Sequence, residues 1–483
     1  MSGRAAVLAF DIGASNGRAM KAVYENGRLS YREVHRFENS PRETGGHFCW
    51  DFDALLAQVR TGLEKAGSFD SVAFDTWGVD FGLLGRDGKL LAPPVHYRDA
   101  RTKDVLGPAL KKMGAAELYA RTGNQIMAIN TLFQLLALKR EQPELLRKAK
   151  TLLFMPDLFA YSLCGKAACE RSIASTSQML DPRTGRWRSD VLEAFGLPER
   201  ILLSPVPSGT VTGALPGGAK VIAAAGHDTQ CAVAAMPSRV PDAAFLSCGT
   251  WSLLGTELDA PVLTEESCAL GLSNELGANG KVDYLKNIIG LWLIQESRRE
   301  WRRRGREFSF ADLERLAGEA RPLRSFIDPN APEFTPPGDI PGRVREFCRR
   351  TRQPVPQTVG EIMRCIYESL ALTYRSALEQ LQKATGRRFT VLHILGGGTK
   401  DRLLSQMSAN STGLPVVAGP VEATALGNFI IQLVALGALP DLASGRAAIA
   451  RSEPLKRYAP ADTDAWDNAY ETYRKILTLR SEQ

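Results

Sequence analysis

The chain opens on a short apolar run, Ala5–Ile12 (AAVLAFDI), which predicts a buried strand ending in the carboxylate of Asp11. A tight polar loop over Gly13–Arg18 follows, and then a second apolar stretch, Ala19–Phe37, broken at Asn26-Gly27. Both residues of that dipeptide tolerate positive φ, so it reads as a hairpin turn. Leu55, Leu56, Val59 and Leu63 recur on one face of a helix over Asp51–Ala66. Ser71–Asp75 returns to strand and delivers the turn Thr76-Trp77-Gly78-Val79-Asp80.

Ser204–Ala219 is rich in Pro and Gly and reads as loop, Lys220–Ala225 as a short strand delivering Gly226-His227-Asp228-Thr229, and Met236–Asp242 (MPSRVPD) as a linker. The opening motif then recurs. Ala243–Ser247 is a strand, Cys248-Gly249-Thr250 a tight turn and Trp251–Thr256 a second strand, so that Ser247–Trp251 echoes Asp11–Ser15 and suggests a duplication. Pro322–Pro356 reads as irregular. Thr358 with Glu361 forms a capping box for a helix to about Ala384, with Ile362, Ile366, Leu370, Ala377 and Leu381 facing the core. Thr390–Leu395 is a strand ending in Gly396-Gly397-Gly398. Helix 402–412, strand Pro415–Ala418 and helix 423–436 complete an alternating α/β pattern with a hairpin at the start of each half.

At 483 residues the chain exceeds what one core usually serves, so two domains are expected, 1–239 and 240–483. The eight Cys are scattered without a C-x-x-C pair, and five His argue against a His-rich zinc enzyme. Cys348 and Cys365 can meet across two elements, but reduced buried thiols of a cytoplasmic protein are the simpler expectation. The net charge of +7 is modest, and its local excess at Arg298–Arg306 reads as a solvated helix face rather than a nucleic-acid patch. The N-terminus leaves no room for a signal peptide, and the most apolar run, Phe429–Leu439, is far shorter than the ~20 residues of a membrane span. A soluble cytoplasmic monomer or homodimer, with no membrane or nucleic-acid partner, is expected.

Three segments can carry chemistry. In Asp11–Arg18 (DIGASNGR) small residues let backbone N–H groups approach an anion, and Ser15 and Asn16 add donors. The same segment matches G-x-S-x-G, the nucleophile elbow of hydrolases, but that elbow needs a helix after the turn and a hairpin is predicted here. His227-Asp228 places a carboxylate at a strand end beside an imidazole, a general base or the cap of the following helix, and the residues alone leave the two open. Gly396–Asp401 (GGGTKD) can pack a flat ligand or a phosphate on its backbone, or serve a turn that needs positive φ; neither a P-loop nor a dinucleotide fingerprint is present. Trp77, Tyr97 and Trp292 are sugar-stacking candidates or core.

Taken together the segments resemble the FGGY carbohydrate kinases, of the actin and hexokinase superfamily. The opening D-x-G-x-[ST]-x-x-[RK] loop matches Asp11–Arg18, the second phosphate turn S-x-G-T matches Ser247–Thr250, and the adenosine motif G-G-G matches Gly396–Gly398. Longer runs, among them FDTWGVDFGLL at 74–84, YRDARTK at 97–103, GHDT at 226–229, SCGTWSLLG at 247–255 and LKNIIGLWLIQE at 285–296, resemble the branch of the family that phosphorylates L-rhamnulose. The resemblance implies an α/β, two-domain actin/hexokinase-like (ribonuclease H-like) fold with an interdomain cleft that closes on substrates. It implies ATP and Mg²⁺, with Asp11 helping to place the metal. It implies Asp228 as the base that takes the proton from the sugar's 1-hydroxyl, and Gly78, His227, Thr229 and Asn287 with Asp228 as sugar contacts. Ala14, Ser15, Asn16, Gly17, Arg18, Thr250, Gln295 and Gly397 are implied as ATP contacts. Where that branch tends to carry Gly-Gly-Gly-Cys-Gln-Asn at the adenosine loop, this chain has Gly-Gly-Gly-Thr-Lys-Asp. A kinase for another ketose, such as L-fuculose or a ketopentose, and a silent sugar-binding regulator on the same fold remain as alternatives; the intact Asp11 and Asp228 speak against the regulator.

Overall fold

The computed structural model describes residues 4–238 and 240–481. Arg239, at the expected boundary and inside the expected linker, lies outside the described residues. So do residues 1–3, 482 and 483 at the ends of the two expected domains. The chain forms two compact units. One gathers the chain up to Pro237 with Glu257–Tyr284 and Ala423–Glu453; the other takes Ser238–Thr256, Leu285–Glu422 and the chain from Pro454.

In the first unit, strands β1 (Ala5–Ile12), β2 (Asn16–Glu25), β3 (Arg28–Glu38), β4 (Ser71–Thr76), β5 (Thr210–Ala214) and β6 (Lys220–Ala223) form a six-stranded sheet in the order β5-β6-β4-β1-β2-β3. β1 and β2 pair antiparallel from Ala5 opposite Tyr24 to Ile12 opposite Gly17. β1 and β4 run parallel, which sets Asp11 opposite Asp75. The turn into β3 has φ of 51° at Asn26 and 76° at Gly27, as its sequence predicts. On the sheet, Phe10 and Phe74 stack at 5.1 Å between centroids. Helix Phe52–Ala66, capped by the Asp51 side chain on Ala54 N–H, buries Phe52, Leu55 and Val59 against them.

Helix Ala423–Ala435 also belongs to this unit, and it contains most of the apolar run at 429–439. Its polar residues tie it to the sheet: Asn428 Nδ2 donates to Asp75 Oδ2 at 2.6 Å, Gln432 Nε2 to Leu8 O at 3.0 Å, and Ser71 Oγ to Gln432 Oε1 at 2.7 Å. The run is therefore a core helix, and among the described residues no helix is long and apolar enough to cross a membrane.

The second unit repeats the opening pattern. Its strands β7 (Ala243–Cys248), β8 (Trp251–Leu258), β9 (Val282–Ile289), β10 (Val391–Leu395), β11 (Val416–Ala418) and β12 (Lys456–Tyr458) lie in the order β9-β8-β7-β10-β11-β12. β7 pairs antiparallel with β8 and parallel with β10, as β1 does with β2 and β4. The capping box of Thr358 and Glu361 starts helix Val359–Thr385 as expected. The irregular reading of Pro322–Pro356 needs correction, because Ile340–Arg350 is a helix capped by Asp339 on Gly342 N–H, with Pro at its start. Proline is tolerated in a first helical turn, where its missing N–H has no partner to lose. Cys348 and Cys365 meet here in a thiol hydrogen bond, and all eight cysteines are free. The basic run starts on helix Trp292–Arg303, where Arg299 and Arg303 pair with Glu296 at 3.0 and 2.8 Å, and continues past its end, where Arg304 pairs with Glu300 at 2.6 Å.

Candidate functional site

The loop between β1 and β2 is closed by Gly13 N–H on Asn16 O at 2.9 Å and fastened by Asn39, whose Nδ2 donates to Gly13 O and whose N–H donates to Ser15 O. Ser15 and Asn16 are exposed at its tip, Ala14 is half-buried, and Gly17 lies against the Phe37 ring, where a Cβ would collide. The residue after Ser15 starts a strand, so no nucleophile elbow forms. Asn39 has no motif around it to mark it in the sequence.

Behind the loop the strand ends carry carboxylates. Arg18 Nη2 donates to Asp11 Oδ2 at 2.5 Å. Asp75, fully buried, accepts from Asn428 with one oxygen, while its Oδ1 has no hydrogen-bond partner. Burial first, and the charge of Asp11 next, push the Asp75 carboxyl well above its ordinary range, against the Asn428 hydrogen bond.

Next to β4, His227 continues the sheet in a parallel bridge with Thr76, and Thr76 N–H donates to Gly226 O at 2.8 Å. The buried carboxylate of Glu170 fixes this strand end. It accepts from Gly226 N–H at 2.9 Å, from Ser172 N–H and Oγ at 2.9 and 2.6 Å, from Ile173 N–H at 3.0 Å and from Ser208 Oγ at 2.6 Å. A Cβ on Gly226 would press on Ile173 and Pro156 at 3.0 Å, so a side chain there would make these neighbours give way.

Asp228 is the first residue of helix Asp228–Ala234, whose N-cap position is His227 with no side-chain cap bond. The capping alternative is thus not realised as an N-cap, although the carboxylate does accept from its neighbour Thr229 Oγ1 at 3.3 Å. Its side chain keeps 32% exposure. Burial of its surroundings raises its pKa, the His227 imidazole opposes, and the charge of Asp11 adds to the rise; the net is above the ordinary carboxylate value. His227 is held by Glu275, Nδ1 to Oε2 at 3.1 Å, while its Nε2 faces Asp228 Oδ1 at 3.5 Å. Burial lowers the His227 pKa, but Glu275, Asp228 and Glu170 outweigh it and leave the imidazole above 6.5.

Gly78 faces the same imidazole: a Cβ there would lie 3.4 Å from His227 Nε2 and from Thr176 Cγ2. The turn around it is braced by Asp80. Its Oδ2 accepts from Trp50 Nε1 at 2.7 Å, Trp77 Nε1 at 2.9 Å and Tyr97 N–H at 3.1 Å, and its Oδ1 from Gln134 Nε2 at 2.8 Å. Trp77 and Tyr97 are therefore buried braces. Trp292 is half-buried in the other unit and donates to Phe334 O.

In the second unit Gly249 N–H closes its turn on Trp251 O at 2.9 Å, and the N–H groups of Leu291 and Trp292 bond to Gly249 O and Thr250 O. These bonds seat the start of helix Trp292–Arg303 on the turn, and Thr250 Oγ1 meets Gln295 Oε1 at 3.3 Å. The glycine loop lies on the same turn, since a Cβ on Gly398 would strike Cys248 Sγ, while Gly397 faces open space. Asp401 caps helix Arg402–Thr412 on Leu404 N–H at 2.9 Å and accepts from Tyr367 Oη, and Thr399 Oγ1 closes on Gly396 O at 2.7 Å. Two of the three residues that depart from the expected loop are therefore occupied in holding it. Asn287, on β9, belongs to this unit. Asp11, Ala14–Arg18, Gly78, His227, Asp228 and Thr229 belong to the first.

Residues 6–236 match the N-terminal domain, and residues 244–436 the C-terminal domain, of the FGGY family of carbohydrate kinases. The chain is 44% identical over 487 residues to a rhamnulokinase of Bacteroides thetaiotaomicron, covering 97% of this chain and 99% of that one. It is 41% identical over 463 residues to a rhamnulokinase of Enterobacter sp., covering 94% of each. Among solved structures it superposes on a ligand-bound xylulose kinase from Lactobacillus acidophilus with a TM-score of 0.78 at 18% identity, over 99% of this chain and 98% of that one. A Plasmodium falciparum glycerol kinase with ADP gives 0.75 at 14% identity over 98% of each chain. At these identities the structural likenesses speak for fold alone.

Proposed function

The chain belongs to the FGGY family of carbohydrate kinases, with its two-domain, actin/hexokinase-like fold, and from that premise we propose that it transfers the γ-phosphoryl group of ATP to the 1-hydroxyl of L-rhamnulose. It is an ATP-dependent sugar kinase of the rhamnulose-phosphorylating kind. Phosphoryl transfer asks little covalent work of a protein; it asks for positioning, charge stabilisation and a base for the incoming hydroxyl. The observation that carries the base assignment is the setting of Asp228. It is a partly open carboxylate at the end of a strand fixed by Glu170, beside an imidazole that is itself held from behind. There Asp228 accepts the hydroxyl proton as the oxygen attacks phosphorus, and Gly78, His227 and Thr229 line the sugar from the same unit.

Ser15, Asn16 and the backbone of Ala14–Arg18 serve the phosphates, as do Thr250, Gln295 and Gly397 of the second unit, whereas Asn287, on β9, serves the sugar. Among the described residues no group of three or more His, Cys, Asp or Glu side chains is set to cage a metal. Mg²⁺ commonly keeps several waters and rides on nucleotide phosphates, so it needs only one or two carboxylates. The unpartnered buried Oδ1 of Asp75 and the strand-end carboxylate of Asp11 fit such a hydrated ion. Asp11 would hold it through water, and when bound it would neutralise charge on the transferred phosphoryl group. Replacing the base tests the reading. Asp228→Asn lowers turnover by ~10²–10⁴-fold with ATP binding nearly unchanged, and wild-type turnover in that variant would remove Asp228 from the mechanism.

A further inference from the structure

The carboxylate of Glu275 is 4% exposed, sits at the end of no recognised motif, and spends its oxygens on the site. Oε2 takes His227 Nδ1 at 3.1 Å and Gln230 Nε2 at 2.8 Å, and Oε1 takes Ser273 Oγ at 3.4 Å. The Glu275 carboxylate accepts only and lies nearer to Nδ1 than the Gln230 amide nitrogen at 3.4 Å, so it keeps the proton of a neutral imidazole there and leaves the Nε2 lone pair bare. That lone pair points at Asp228 Oδ1, 3.5 Å away, and at the space beside Gly78. We propose that Glu275 is a positioning residue that makes His227 the second station for the hydroxyl proton, in a relay from the sugar through Asp228 to His227. The inference rests on the assignment of Asp228 as base.

The steps balance. The sugar O–H bond breaks and its proton joins Asp228 as the oxygen attacks phosphorus. The Asp228 O–H bond then breaks as the Nε2–H bond forms, giving an imidazolium held by the Glu275 anion, and Asp228 returns to its carboxylate. The charges that act most strongly on His227 are carboxylates: Glu275 from the segment before β9, Asp228 from its own helix, and Glu170. Its other neighbours are neutral: Gln230, Ser172 against its backbone N–H, and Gly78 in the turn. The imidazole can receive the proton only when neutral, so activity falls as pH drops through a His227 pKa that lies above 6.5.

The test reads the imidazole directly. With five His in the chain, ¹⁵N-resolved spectra of the whole protein, assigned by loss of one signal in His227→Gln, report tautomer and titration of His227 without turnover. The expected result is the Nδ1–H tautomer in the neutral wild-type form. In Glu275→Gln the titration moves to lower pH, the acid limb of kcat moves with it, and kcat falls at least about tenfold, with the KM for sugar little changed; the base itself is worth ~10²–10⁴. An Nε2–H tautomer in the wild type, a measurement that does not depend on the variant folding, overturns the relay. So does an unmoved His227 titration in Glu275→Gln. Normal turnover of Asp228→Asn instead removes the base assignment beneath it, so the two failures are told apart.

Discussion

Val79 has a φ of 66°, a conformation a β-branched residue rarely adopts, and hydrogen bonds to it and to the residue after it hold the turn in place. Its N–H donates to Thr176 Oγ1 at 3.1 Å, its carbonyl accepts from Thr131 Oγ1 at 2.7 Å, and Asp80 ties the turn to Trp50 and Gln134. The strained turn is what sets Gly78 against His227. Burial pushes Asp80 up to about 6, against the hydrogen bonds from Trp50, Gln134 and Trp77. Asp80→Asn keeps the shape but turns a donor toward groups that donate, and an unsatisfied buried polar group costs roughly 1–3 kcal/mol. The melting temperature falls, and the KM for sugar rises by a larger factor than kcat falls, as steady-state kinetics beside a thermal melt will show. A fall in stability with KM unchanged would make Asp80 a brace for the core alone.

Among the elements, helix Ala423–Ala435 bears most on the site, because Asn428 sets the Asp75 side chain and Gly427 lets the helix close onto helix Asp228–Ala234. A Cβ at Gly427 would run into the carbonyl of Cys231, a backbone atom that cannot step aside. Gly427→Val therefore destabilises the fold by at least about 1–3 kcal/mol, the ordinary cost of overpacking, measured as a shift in the urea midpoint. An unshifted midpoint would show that the two helices are not so closely packed.

Much at this scale was legible in the sequence. Periodicity and turn chemistry located β1, the Asn26-Gly27 hairpin, the helix from Phe52 and the Thr358–Glu361 box, because each is decided by residues close along the chain. The helix Ile340–Arg350 was hidden by its prolines, which mark loops except at a helix start. Asn39, Asp75, Glu170 and Glu275 were hidden for a different reason. Each acts on residues far along the chain, as Glu170 does on Gly226 and Glu275 on His227, and a polar side chain carries no local sign of a partner so distant in sequence. The motifs at 11–18, 226–229, 247–250 and 396–398 could be placed as loops from the chain, whereas what each loop touches came only with the coordinates.

For the whole molecule, the first unit is not completed by the first half of the sequence. Glu257–Tyr284 brings Glu275, and Ala423–Glu453 brings the helix whose Asn428 and Gln432 bond to Asp75 and Leu8. A fragment ending at Pro237 keeps the six-stranded sheet's residues but leaves Leu8, Ser71 and Asp75 without those partners. It unfolds without a cooperative transition in urea, and a sharp transition like that of the full chain would contradict this account of the fold.

The central claim is that this chain phosphorylates L-rhamnulose with Asp228 as base. The measurement that tests it most directly is ADP release with ATP and Mg²⁺ on L-rhamnulose, L-fuculose, D- and L-xylulose, D-fructose and glycerol in parallel, with Asp228→Asn as control. The account predicts a clear preference for L-rhamnulose that the variant loses. No ADP release on any of these sugars from a protein that binds ATP would contradict it.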